Sequence, residues 1–235
     1  MKILIVGGSG GIGSSLVSTC LDYYPESNII ATYNTHPGNI HHPRLQWRKL
    51  DVTIEEDIEN LSSELGAIDL LINAVGFLHS GSQKPEKTIK EFDPTFFQHN
   101  ININTLPSIL LAKHFMTSLR SNKATHFVAL SAKIGSIDDN KIGGWLSYRV
   151  AKSALNMAIK TIAIEWSLKV PNCCIILFHP GTTDTHLSKP FQKNLPDEQL
   201  HSAKHTSEAL LATINSSAPV DTGKFMSYNG SEIPW

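Results

Sequence analysis

The chain has 235 residues, of which 41% are hydrophobic and 17% charged, with 20 Lys and Arg against 21 Asp and Glu. A net charge of -1 excludes the cationic surface a nucleic-acid binder needs. The composition equally excludes disordered and collagen-like chains.

In chain order, Ile3–Val6 is a continuous apolar run that ends in glycines, and Ile29–Tyr33 follows a helical pattern over 14–23. Later runs are Leu70–Ile72, Phe127–Leu130 and Cys173–Phe178. Helical periodicity predicts helices over 55–64, 95–120, 147–168 and 206–215. Continuous apolar strands alternating with helices predict an α/β fold. The expectation is a single-domain, Rossmann-type doubly wound parallel sheet with helices on both faces, over residues 1–235. His36–Arg44 predicts a surface loop, and the irregular stretch 184–205, with Pro190 and Pro196, a substrate lid.

Cys20, Cys173 and Cys174 cannot build a disulfide framework and read as small buried residues in a reducing compartment. No apolar run reaches the ~18 residues of a membrane span, and Lys2–Val6 is too short for a signal-peptide core. A cytoplasmic protein with neither a nucleic acid nor a membrane as partner is expected.

Val6-Gly7-Gly8-Ser9-Gly10-Gly11-Ile12-Gly13 joins the first strand to the first helix. Glycines there allow a tight turn and close approach of a pyrophosphate to free helix N–H groups. Ser14 stands where a nucleoside-triphosphatase loop would carry its lysine. The second strand ends Ala31-Thr32-Tyr33-Asn34, without the acid that holds an NAD ribose. Thr32, Asn34 and Thr35 are candidate partners of a 2′-phosphate, so NADP is the expected cofactor, with NAD the alternative.

Tyr148 and Lys152, four apart, share one helical face. A cation beside a phenol favours its ionised form, which suits Tyr148 to acid–base work on a carbonyl or alcohol. His201 and His205 have a spacing that suits zinc on a helix, but Ser202 replaces the glutamate of such a motif and no metal is expected. Trp145, Leu187 and Phe191 are candidates for an apolar substrate pocket.

With Asn73-Ala74-Val75-Gly76 and Pro180-Gly181-Thr182-Thr183-Asp184-Thr185 placed between and after these motifs, the whole chain resembles the short-chain dehydrogenases/reductases. Asn104-Thr105-Leu106-Pro107, residues 131–137, 143–149 and 228–235 are most similar to the group of sniffer-like carbonyl reductases and C-factor-like proteins. The resemblance implies an NAD(P)-dependent oxidoreductase acting on a small-molecule carbonyl or alcohol, as a homodimer or homotetramer packed through helices 95–120 and 147–168.

It implies that Gly7, Gly11 and Gly13 shape the pyrophosphate turn, that Ile12 packs under the cofactor, and that Asp51 and Val52 contact the adenine. Asn73 and Gly76 would line the ribose and support the sheet. Asn104 would hold a proton-relay water, Tyr148 exchange the proton, and Lys152 bind the ribose and tune Tyr148. Pro180, Gly181 and Thr185 would orient the carboxamide.

Two departures stand out. Val6 replaces the usual threonine, an exchange expected to loosen the turn, and Ala132 replaces the usual substrate-orienting serine. Ser131 is the expected substitute, with Ser136 the other candidate. Ala132 also raises an alternative, a cofactor-binding signalling or redox-sensing protein of C-factor type.

Overall fold

The computed structural model describes residues 1–235 other than Ser82 and Asn194; the latter falls inside the expected lid. Seven strands form one parallel sheet: β1 (Lys2–Val6), β2 (Asn28–Tyr33), β3 (Leu45–Lys49), β4 (Leu70–Asn73), β5 (Thr125–Leu130), β6 (Cys173–His179) and β9 (Lys224–Ser227). A two-residue pair, β7 (Thr182–Thr183) and β8 (Leu200–His201), stands apart. The sheet order is β3-β2-β1-β4-β5-β6-β9, so the direction of winding reverses between β1 and β4. Ligands of such sheets bind at the carboxyl ends of the strands flanking that reversal.

Side chains alternate across the sheet with period two. Leu4, Val6, Leu71, Phe127, Ala129, Ile175 and Leu177 enter one core, and Ile3, Ile5, Ile72, Val128, Ile176 and Phe178 the other. The first core is closed by α2 (Glu55–Leu65), α4 (Leu106–Phe115) and α5 (Leu146–Lys169), the second by α1 (Gly11–Tyr23) and α6 (Ala203–Ser216). Both faces of the central strands are thus covered, which is why they read as unbroken apolar runs.

The expected helix over 95–120 is two helices, α3 (Pro94–Asn104) and α4, broken at Thr105. Pro107 has no N–H for the carbonyl of Ile103, and Thr105 Oγ1 donates instead to the Ala151 carbonyl at 2.7 Å. The break places Asn104 beside the strand ends. Edge strands β3 and β9 carry mixed, half-exposed sequences and lack the apolar signature of the central five.

Candidate active site

The turn after β1 is held by its backbone. Gly7 has φ +78, a left-handed conformation that favours glycine, and Gly10 N–H donates to the Gly7 carbonyl at 3.0 Å. A Cβ on Gly13 would lie 2.0 Å from that carbonyl oxygen, and one on Gly11 2.6 Å from the Thr185 methyl. Glycine is therefore required at both positions by close approach. The Gly7 N–H donates to Thr32 Oγ1 at 3.0 Å. Thr32 is 1% exposed, which removes it from the expected 2′-phosphate partners: it points inward and braces the turn. Val6 offers no side-chain acceptor to the turn, and this one comes from β2. Asn34 and Thr35 are exposed just beyond β2.

α1 begins at Gly11 with no side chain capping it, so the first-turn N–H groups point toward the strand ends with the positive end of the helix dipole. The cleft above them holds about 270 Å³. Its walls include Gly11, Ile12, Val75, Gly76, Ser131, Tyr148, Lys152, Pro180 and Thr185. A backbone cradle that any Cβ would fill, facing a bare helix N-terminus, fits a dinucleotide pyrophosphate.

A second cavity of about 270 Å³ adjoins it, sharing Ile12, Ser131, Tyr148, Pro180, Thr185 and Leu187. Its remaining walls are mostly apolar: Leu78, Ala132, Ile134, Trp145, Phe191 and Leu195. Trp145 and Phe191 rings stand 4.8 Å apart. Trp145, Leu187 and Phe191 thus share one chamber, and the described part of 184–205 contributes its outer wall. Gly181, at φ +68, packs beneath His201 and Tyr228 and lines the same chamber.

Tyr148 and Lys152 lie in the first two turns of α5, both buried, with the ammonium 5.8 Å from the phenol ring centre. Lys152 Nζ donates to the Leu130 carbonyl at 2.9 Å. Burial pushes the Tyr148 phenol well above its ordinary 10.0 and pulls Lys152 from 10.5 down to about 7. In both groups the low-dielectric surroundings disfavour the charged form.

Not every expected residue reaches the cleft. The Asn73 amide turns to α4, donating to Ser108 Oγ at 2.8 Å and accepting from Val75 N–H at 3.1 Å. It supports the sheet, and Ala74, Val75 and Gly76 form the wall in its place. Asn104 is committed to Phe77, donating to its carbonyl at 2.8 Å and accepting from its N–H at 2.9 Å, with a further 3.2 Å bond to Asn100. Asp51 is tied to Thr53 at the end of the β3 connection, and Val52 packs into the core.

Ser131 lines both cavities, but its hydroxyl donates to Asn156 Oδ1 at 2.6 Å. Ser136 is buried, accepts the Asp139 N–H, and lines neither cavity.

A nucleotide-binding α/β fold with a Tyr–Lys pair at its switch point is the architecture of an oxidoreductase domain. Residues 1–196 match the family model described as short chain dehydrogenase, and the chain belongs to that family. The chain is 27% identical over 170 residues to "C-signal" of Myxococcus xanthus, spanning 72% of this chain and 94% of that protein.

Its fold superposes on "Carbonyl reductase Sniffer of D. melanogaster" with TM-score 0.86 and 20% identity, covering 100% and 99% of the two chains. An NADPH-bound carbonyl reductase from chicken fatty liver gives TM-score 0.87 and 22% identity over 100% and 94%. At these identities the structural likenesses speak for the fold. Among the described residues no helix is long and apolar enough to cross a membrane.

Proposed function

We propose that this chain is an NADP-dependent reductase of small carbonyl compounds, with Tyr148 as the proton donor. The observation that carries the reading is the position of Tyr148, which forms a wall of both the glycine-turn cleft and the apolar chamber. Reduced nicotinamide, when bound in the cleft, supplies the hydride to the carbonyl carbon. Tyr148, kept neutral by burial, donates its phenolic proton to the carbonyl oxygen.

Lys152 steadies the cofactor ribose and, when protonated, favours the phenolate left behind. Gly76 lies beside both Lys152 and Asn104, where a Cβ would make ordinary contacts of 4.0 Å to Nζ and 3.7 Å to Oδ1. With both amide hydrogens and one lone pair engaged, Asn104 Oδ1 retains a lone pair for the relay water. Pro180, Gly181 and Thr185 fit the carboxamide end, and the exposed, acid-free Asn34 suits a 2′-phosphate. The NADPH bound to the chicken carbonyl reductase supports the same choice.

Exposed Val150, Met157, Ile164 and Leu168 form one apolar stripe along α5, beside Ile109 of α4. We assign to this stripe the contact of a homodimer or homotetramer.

One observation favours a second reading, a cofactor-binding signalling protein. Position 132 is alanine, and the Ser131 hydroxyl is spent on Asn156, so neither of these two positions aims an O–H at a substrate oxygen. Likeness to C-signal agrees with it. Fluorescence titration with NADPH and NADH, followed by a screen of aldehydes, diketones and quinones, separates the two. The reductase reading expects tighter NADPH binding and turnover that Tyr148→Phe abolishes at unchanged cofactor affinity. Turnover surviving in Tyr148→Phe refutes it, and binding with no turnover on any carbonyl transfers the weight to signalling.

A further inference from the structure

Helix α5 carries the reacting groups, yet its N-cap position is Trp145, whose side chain offers no acceptor to the first-turn N–H groups. Trp145 has φ +54, and its indole stands 6.4 Å from the Tyr148 ring on the chamber wall. A Ser, Thr, Asp or Asn at that position would have capped the helix. Here the acceptor arrives from 61 residues upstream.

Glu86 is 3% exposed. Its two carboxylate oxygens accept the Ser147 N–H at 3.3 and 3.2 Å, and Ser147 Oγ donates to it in a short contact. Its backbone carbonyl accepts the Trp145 N–H. Among the described residues no Lys, Arg or His pairs with Glu86. A buried carboxylate without a cation is costly, and the N-terminus of α5 is the positive potential that offsets it.

We propose that Glu86 is a positioning residue for Tyr148. Acting through Ser147, it fixes the first turn of α5 so that the phenol stays at the junction of cleft and chamber. The inference rests on Tyr148 being the proton donor.

The test uses Glu86→Gln, Glu86→Ala and Ser147→Ala in the full chain, with ring-carbon-labelled tyrosine followed by NMR. Comparison with Tyr148→Phe assigns the Tyr148 signal among the five tyrosines. Glu86→Ala is expected to shift or broaden that signal while the distant tyrosines hold, and Glu86→Gln to restore it. In kinetics, Glu86→Ala lowers kcat by roughly 10–100-fold at unchanged KM for NADPH. Glu86→Gln keeps a side-chain acceptor for the Ser147 N–H and recovers most of kcat.

A Tyr148 signal indifferent to Glu86→Ala, or all five signals moving together with a lowered Tm, overturns the proposal. If Glu86→Ala does not fold, Ser147→Ala decides, and a Tyr148 signal and kcat both unchanged in that variant are equally fatal. Retained turnover in Tyr148→Phe would instead sink the reductase reading while the NMR comparison still judges Glu86.

Discussion

Replacing Lys152 by Met tests the electrostatics of the site without a substrate. In the folded protein burial holds the Lys152 ammonium at about 7, against 10.5 for the free side chain. Between those values the unfolded chain binds the extra proton, so stability rises with pH. The charge penalty is full below pH 7 and vanishes above 10.5.

His179, pulled down to about 4 from 6.5, acts at lower pH. Cys20 and Cys173, pushed up to about 12, and Cys174, to about 11, increasingly oppose stability as pH nears their ordinary 9.0, but equally in wild type and Lys152→Met, so the difference between the two proteins isolates Lys152. From pH 7 to 9 the Lys152 contribution grows by about 2 kcal/mol, equivalent to roughly 4–8 °C in Tm for a chain of this size. Urea unfolding of the cofactor-free protein at pH 7, 8 and 9 reads it. The stability of wild type relative to Lys152→Met is expected to rise by that amount across the range. Equal slopes in the two proteins would refute the buried-ammonium account.

Gly13→Ala puts a methyl 2.0 Å from the Gly7 carbonyl; it should lose about 1–3 kcal/mol and abolish NADPH binding by fluorescence, and retained affinity would disprove the close-packed cradle. Thr32→Val removes the acceptor of the Gly7 N–H and is expected to cost about 1 kcal/mol with weaker cofactor binding, whereas Thr32→Ser restores both. Ile164→Glu together with Met157→Glu places charge on the apolar stripe of α5 and should reduce the mass measured by light scattering to that of one chain. An unchanged mass would remove α5 from the subunit contact.

The glycine turn, the Tyr148/Lys152 pair and the five buried strands were legible in the sequence because each depends on residues close in the chain. Helix and strand periods, and the φ preference of glycine, act locally. The misses share the opposite property. Thr32 looked like a phosphate partner because nothing in its own segment shows that it faces Gly7 across the sheet. Asn73 looked like a cleft residue, yet its amide is taken by Ser108. The break at Thr105 had a visible sign in Pro107, overridden by the apolar period on either side. β3 and β9 were illegible as apolar runs because an edge strand needs only one covered side.

Position 145 shows why the cap of α5 could not be read locally. A first-turn acceptor and an aromatic chamber wall are incompatible demands on one side chain, and the sequence spends that position on the wall. The orphaned N–H groups still require a partner in a site closed to water, so the acceptor must come from whatever segment covers the helix start. That segment, between β4 and α3, also carries Leu78 into the chamber and His79 against the Leu187 carbonyl at 3.2 Å. Chamber wall, the contact to Leu187 and the helix cap therefore sit on one stretch of chain. A substitution that reshapes the chamber from this stretch should disturb Tyr148 as well, which couples specificity to rate in a way that changes confined to 187–195 would not.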